Sequence, residues 1–180
     1  MEINRAKVVD HQFQLLVKEG QFPSARSETQ PGEVGLDKDQ FLELFDAQLA
    51  SRHLDILARS LGEQKKAFYT IGSSGHEGNA AIAKAFLKTD IAFLHYRSAA
   101  FMIQRARYLP DIDILYDLAL SFVASSDDPS SGGRHKVFGS KALWVPPQTS
   151  TIASHLPKAV GLLKQQRVAI RKSIFAVCGW

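Results

Sequence analysis

Three segments of the chain contain side chains or glycines whose type and spacing could carry chemistry. The first is GSSGHEG at 72–78, whose three glycines let backbone N–H groups approach an anion at the start of a helix predicted through Asn79 to Lys88. The segment matches neither the Walker spacing nor the GxGxxG dinucleotide pattern. A glycine-rich turn is more often a simple helix entry, so both interpretations stay open at this point.

The second segment, HYR at 95–97, directly follows a run of apolar residues. Arg97 offers a planar fork to two phosphate oxygens, and the Tyr96 phenol can donate a third hydrogen bond. The other interpretation is an interface salt bridge next to a packing tyrosine. The third segment, GGRHKVFGSKALWVPPQTSTIASHLPKAVG at 132–161, joins a basic loop, a Pro-Pro stop and a Ser/Thr-rich stretch to a helix.

Two short apolar runs predict the strands that position these segments. IAFLHY at 91–96 and SIFAVC at 173–178 lack the alternation of a half-exposed strand, which is typical of strands covered on both faces of a parallel sheet. We expect their cores at Ile91–Leu94 and Ile174–Val177. Helical stretches lie on both sides of Pro110 and near 155–167, so the pattern predicts an α/β fold that binds ligands at the carboxyl ends of its strands.

The N-terminal region predicts a helical arm and linker over residues 1–36, followed by one α/β domain over 37–180. A helix is expected from Arg5 to Lys18, stopped by Gly20. Asp37 is the expected N-cap of a long amphipathic helix that reaches Leu61 and stops at Gly62. The apolar residues of that helix indicate a face turned to the core, although a face turned to a partner would look identical; they are Phe41, Leu44, Phe45, Leu49, Ile56 and Leu57.

Composition limits the class of protein. The 180 residues are 45% hydrophobic, which suffices for one core, and 22 Lys and Arg against 18 Asp and Glu give a net charge of +4. The basic residues are dispersed, as on solvated helix faces, and a third alternative, a general anion- or nucleic-acid-binding α/β domain, rests only on the charge balance. The single Cys178 excludes an internal disulfide framework and a CxxC zinc site. We expect a soluble, cytoplasmic protein that binds neither nucleic acid nor membrane.

Four stretches in this order resemble one enzyme family: SRHLD at 51–55 followed by AFYTIGSSGHEG, then DIAFLHYRSAAFM, GGRHKVFGS and VPPQTSTIASHLPKAVG. From about Asp39 to Gly161 the chain resembles the α-type subunit, or α-type half, of the thiamine diphosphate-dependent first component of 2-oxo acid dehydrogenase complexes. The resemblance implies a helix-rich, incomplete parallel-sheet fold that binds thiamine diphosphate and magnesium. It also implies an oxidoreductase activity, the oxidative decarboxylation of a 2-oxo acid with acyl transfer to a lipoyl group.

The resemblance also implies roles for individual residues. Tyr96 and Arg97 match the pair that holds the diphosphate of the cofactor. Ser150 and Ile152 match the segment that contacts the aminopyrimidine and wedges the cofactor into a bent conformation. His135 lies in the loop that places a histidine against the thiazolium, where it would donate a proton or a hydrogen bond to the developing oxyanion of the substrate.

Two further sets follow from the same resemblance. His76 and Glu77 match a turn near the substrate entrance, where we expect them to position rather than react. A structural potassium is implied where some members of the family bind one, although this chain has a histidine in place of the usual glutamine; the matching residues are Thr149, Thr151, Ser154 and His155.

The family places a GDG motif and an Asn pair, which bind magnesium, after the strand that corresponds to SIFAVC. Here SIFAVC is followed by Gly179-Trp180, and the sequence contains no GDG. We therefore expect an N-terminal part truncated before the magnesium motif, inactive on its own, with a β-type subunit or half and a lipoyl-bearing acyltransferase component as partners and with a tendency to form homo-oligomers. The alternative is a non-catalytic remnant or interaction module of the same fold.

Overall fold

The computed structural model describes residues 5–21, 29–68, 71–169 and 176–178, and the chain divides into two compact units, Met1–Asp37 and Lys38–Trp180. In the first unit, helix α1 spans Arg5–Glu19 and is followed by Gly20 at φ +66°, which confirms the predicted stop. A short 3-10 helix, Pro31–Val34, lies in the next described range and is capped at its C-terminal end by Gly35.

The second unit begins with the longest helix, α2, over Lys38–Glu63. The predicted start directly after Asp37 is confirmed. The predicted stop at Gly62 is wrong, because the helix continues through that glycine and the chain turns away at Lys65, which has φ +59°. A glycine inside a helix costs only about 1 kcal/mol relative to alanine, so it does not end a helix that packing stabilises.

The faces of α2 also differ from the prediction. Of the six apolar residues expected in the core, only Leu44 is buried, and the other five are 42–51% exposed. The core-facing interpretation is therefore wrong for most of that set, because small and polar residues occupy the inner face instead. The buried residues are Leu44, Ala47, Ser51, Leu54, Asp55 and Ala58.

Two further helices flank the first strand. Helix α3 spans Asn79–Ala85, strand β1 spans Ala92–Leu94 and helix α4 spans Ala99–Ala106. Every residue of β1 is buried, as expected of a strand covered on both faces. All eight residues of α4 are buried as well, and α4 packs against both α2 and α3.

Helix α5 spans Ile114–Phe122, helix α6 spans His155–Ala169 and strand β2 spans Ala176–Cys178. The two helices predicted on either side of Pro110 are confirmed as α4 and α5, and the helix predicted near 155–167 is α6. β1 and β2 pair in parallel, with Ala92 opposite Ala176. The first residues of the predicted second strand lie outside the described residues. The described chain is thus rich in helix, and its two strands form one parallel pair.

Arg105 ties the buried helix α4 to the loops around it. Its guanidinium is fully buried, donates hydrogen bonds to the carbonyl oxygens of Asp90 and Leu143 and lies 4.5 Å from the centre of the Phe101 ring. These contacts hold the C-terminal end of α4 against the neighbouring loops. None of the helices within the described ranges has both the length and the apolar character needed to cross a membrane.

Candidate functional site

The candidate site is built around the turn that joins β1 to α4. His95, Tyr96 and Arg97 follow the buried strand directly, and the Ser98 N–H donates to the carbonyl of His95 at 3.0 Å to close the turn. These three side chains lie at the carboxyl end of a strand that is covered on both faces. In open α/β sheets, ligands bind at the carboxyl ends of the strands. Tyr96 and Arg97 are both half-buried there.

Arg97 is held by the glycine-rich loop rather than by a carboxylate. Its Nη1 donates to the carbonyl oxygen of Gly72 at 2.5 Å, and its guanidinium carbon lies 5.4 Å from the centre of the Tyr96 ring. Among the described residues Arg97 forms no ion pair. A guanidinium carries five N–H donors, so this anchor orients the side chain and leaves donors and positive charge for a further ligand.

Asp55 of α2 holds that loop in place. Its buried carboxylate accepts from the backbone N–H of Ser73 at 2.8 and 3.0 Å and from the Ser73 hydroxyl at 3.1 Å, and the hydroxyls of Ser51 and Ser73 lie 2.6 Å apart. Position 72 requires glycine, because a Cβ there would lie 2.8 Å from Oδ2 of Asp55. Asp55 therefore holds Ser73 and Gly72 in place, and the Gly72 carbonyl in turn orients the Arg97 side chain.

The same contacts decide how the loop 72–78 can act. The N–H of Ser73 donates to Asp55, the N–H of Gly75 donates to the carboxylate of Glu77 at 2.8 Å, and that of His76 donates to the Ser73 carbonyl. Three of the loop N–H groups that could cradle an anion are thus occupied by acceptors of the protein itself, which favours the interpretation of this turn as a simple helix entry. The loop contributes its carbonyl oxygens and the His76 side chain to the candidate site.

Lys136 binds the loop on a second side. Its Nζ donates to the carbonyl of Ile71 at 3.1 Å and lies 4.8 and 5.5 Å from the ring centres of Phe122 and Phe138. The side chain is only 7% exposed, and this burial lowers the pKa of Lys136 to about 8, although the nearby Asp55 carboxylate favours the charged form. Two cations therefore meet consecutive carbonyls, those of Ile71 and Gly72.

Three imidazoles pack beside the Tyr96-Arg97 pair. The rings of His76 and His95 are stacked with centres 5.5 Å apart, His155 meets His95 edge-on at 6.3 Å, and His95 lies 3.8 Å from the Tyr96 ring. We call His76, His95 and His155 the histidine cluster. Sequence reasoning expected His76 and His155 at separate sites, and the structure brings them together around His95.

Burial favours the neutral form of all three imidazoles of the histidine cluster. It lowers the pKa of each of the three imidazoles, and the Arg97 charge lowers those of His76 and His95 further. One buried nitrogen of each ring has no hydrogen-bond partner in the described part of the chain: Nδ1 of His76, Nδ1 of His95 and Nε2 of His155. Unsatisfied buried nitrogens of this kind are groups that a bound ligand can satisfy.

His135 pairs with a residue of the Ser/Thr-rich stretch. Its Nε2 lies 2.6 Å from the hydroxyl of Ser150, and its backbone N–H donates to the Ser131 hydroxyl at 3.2 Å. The loop before it needs glycine at 133, which has φ +76° and where a Cβ would lie 2.3 Å from the carbonyl oxygen of Ala124. The structure thus joins two residues to which the resemblance gives neighbouring roles.

The remaining residues predicted for the site do not all lie together. Thr149 and Ser154 share a hydrogen bond of 3.1 Å between their hydroxyls, whereas Thr151 and Ile152 are exposed. The hydroxyl pair suits a hard cation such as potassium, but His155 faces the histidine cluster, and imidazole is a ligand of softer metals. The potassium site stays a prediction. No group of three or more His, Cys, Asp or Glu side chains in the described ranges is arranged to hold a metal ion.

Comparison of the chain with protein-family models finds no match, and no curated protein matches its sequence. What the site can bind must therefore be inferred from its side chains. Sequence reasoning missed Asp55, Ser73, His95 and Lys136 as functional residues. A signal for one of them was present, because Ser51 and Asp55 stand one helical turn apart among buried residues of α2, where a carboxylate needs a partner.

Proposed function

We propose that residues 39–161 belong to the α-type subunit of a thiamine diphosphate-dependent 2-oxo acid dehydrogenase component and that Tyr96 and Arg97 bind the diphosphate of the cofactor. One observation carries the proposal: Arg97 is anchored by a neutral carbonyl at the carboxyl end of a buried strand and keeps its positive charge for a ligand. An ion-paired arginine, the other interpretation of the sequence, would have had that charge neutralised.

The residues present fit a diphosphate. Arg97 offers a planar set of donors, and the Tyr96 phenol beside it can add another. Lys136 adds a second positive charge behind the loop, since its pKa of about 8 leaves it mostly protonated at pH 7. The three unsatisfied imidazole nitrogens provide hydrogen-bonding groups next to these charges. The GDG motif that supplies magnesium ligands in the family does not occur in the sequence, so the resemblance assigns no magnesium ligand to this chain.

The other end of the cofactor would lie toward His135 and Ser150. Bound thiamine diphosphate supplies a carbon nucleophile and an electron sink. Ser150 orients His135 through the 2.6 Å contact, and the other ring nitrogen of His135 can donate a proton or a hydrogen bond, as a group facing a developing oxyanion must. Glu77 fixes the turn that carries His76, because its carboxylate accepts from the N–H of Gly75.

A titration of the full chain with thiamine diphosphate and with thiamine, both with magnesium present, tests the proposal. Imidazole NMR signals report binding at the histidine cluster. We expect the diphosphate to shift the signals of His76 and His95 and thiamine at the same concentration to leave them in place, because only the diphosphate carries the anion that Arg97 meets. Equal shifts with both ligands, or none at millimolar concentration, would contradict the proposal.

A further inference from the structure

A cavity separate from the candidate site lies between α4, α5 and the loop over residues 128–147. Its volume is about 600 Å³, within the usual range for small-molecule sites. Its walls are mainly apolar and include Met102 of α4, Ile114 and Leu118 of α5, and Phe138 and Trp144 of the loop. Tyr96, Arg97, the histidine cluster, His135 and Ser150 do not line it.

Helix α5 presents two polar side chains to this cavity, one helical turn apart. Asp117 and Ser121 both line it, at the i and i+4 spacing that places them on one face of the helix. Ser121 is only 7% exposed, and its hydroxyl has no hydrogen-bond partner within the described part of the chain. A buried hydroxyl without a partner costs free energy, which a ligand bound there can recover.

The electrostatic field in the cavity favours a cation. Burial raises the pKa of the Asp117 carboxyl, and the negative charges of Asp113 and Asp128 raise it further. Asp128 also lines the cavity and is itself held by the backbone N–H of Ser130 at 2.9 Å. Two lysines oppose this field. Lys141 lines the wall, but its side chain is exposed, so solvent screens it. The buried Lys136 does not line the cavity; its Nζ lies 5.5 Å from the centre of the Phe138 ring and donates to the Ile71 carbonyl.

We propose that this cavity binds a small hydrophobic molecule that carries one positively charged amino group. The ammonium has three donors, enough for the Asp117 carboxylate and the Ser121 hydroxyl together. The apolar body lies against Met102, Leu118 and Phe138. This site goes beyond the proposed cofactor function and shares none of the residues assigned to it, so each can be tested without the other.

Three probes of similar shape separate charge from hydrophobicity: 2-phenylethylamine, 2-phenylethanol and 3-phenylpropionate. We expect the amine to shift the backbone amide signals of Ser121, Ser140 and Val145 in ¹⁵N-labelled full-length chain while leaving those of Ser73 and Arg97 unmoved. The alcohol should bind more weakly, and the carboxylate should not bind at the same concentrations. Equal binding of all three probes, no shift with the amine, or shifts confined to Ser73 and Arg97 would overturn the proposal.

Variants test the assigned contacts. Asp117→Asn should weaken binding of 2-phenylethylamine at least about tenfold, since it removes a charge-assisted hydrogen bond. Ser121→Ala should weaken it by a smaller factor. Asp127→Asn makes the same charge change in an exposed residue that does not line the cavity and should leave the affinity unchanged. Unchanged affinity in both Asp117→Asn and Ser121→Ala, or an equal loss in the control, would overturn the assignment.

Discussion

Gly72 illustrates how one small residue controls the candidate site. Its carbonyl accepts from Arg97, its neighbour Ser73 donates to Asp55, and its missing side chain leaves room for the Asp55 carboxylate. The local sequence predicted a turn at this position and placed Tyr96 and Arg97 after a strand. The anchor itself joins residues 25 positions apart, and local periodicity carries no information about such a contact.

We expect Gly72→Ala to lower the free energy of unfolding by about 1–3 kcal/mol, as overpacking does. The new Cβ would meet the Asp55 carboxylate at 2.8 Å and push the loop away from Arg97. Chemical denaturation measures the effect. Gly78→Ala is the matched control, because a Cβ there meets no heavy atom within 4 Å and should leave the stability close to that of the wild type. Equal stabilities of the two variants would disprove the steric account.

The buried Lys136 predicts that the free energy of unfolding rises with pH over a defined range. Its pKa is lowered from 10.5 to about 8 in the folded chain, so between these values the unfolded state holds more protons. The free energy of unfolding therefore gains a contribution that rises with pH across this window, by up to roughly 3 kcal/mol. Below pH 8 the buried charge is a cost that unfolding relieves.

Lys136→Met isolates this contribution, because other groups also titrate in the window. The stability difference, wild type minus variant, should rise between pH 8 and 10.5 in urea denaturation curves. Lys141→Met, at an exposed lysine in the same loop region, is the matched control. A flat difference for Lys136→Met would show that its pKa is not depressed by burial.

At the scale of elements, helix α2 shows where sequence patterns succeed and fail. Its start after Asp37 was predictable, as were α1 and the helices flanking Pro110, because caps, Gly and Pro act locally. The residues of its inner face were not predictable, because large apolar residues at helical spacing look the same whether they face a core or a partner. Small residues such as Ala47 and Ala58 face inward instead and allow α4 to pack closely.

The outer face of α2 predicts self-association. Phe41, Phe45, Leu49 and Ile56 are exposed on one helix and form an apolar surface. We expect sedimentation of the wild type to depend on concentration in the micromolar range, and Phe45→Glu to sediment as a monomer. Tyr116→Glu, at an exposed aromatic residue of α5, should associate like the wild type. A wild type that stays monomeric throughout this range would contradict the prediction.

At the scale of the whole molecule, the candidate site unites segments that are distant in sequence within the second unit. The loop after position 71 lies between Asp55 of α2 and Lys136, and it holds Arg97 at the end of β1. The resemblance to the 2-oxo acid dehydrogenase family rests on the order of these segments along the chain and stays a prediction. Their convergence depends on the packing of α4 against α2 and α3, which a linear pattern does not specify.

We propose Arg97 as the diphosphate anchor, and the affinity for thiamine diphosphate across a set of Arg97 variants tests this role most directly. A charge-assisted contact contributes roughly 1.5–3 kcal/mol, so calorimetry should show Arg97→Ala about 10- to 150-fold weaker than the wild type. The affinity of Arg97→Lys should lie between those of the wild type and Arg97→Ala, because lysine keeps the positive charge and loses the planar fork. Arg107→Ala, which removes an arginine paired with Asp46 elsewhere, should bind like the wild type. Equal affinities for the wild type, Arg97→Lys and Arg97→Ala would contradict the claim.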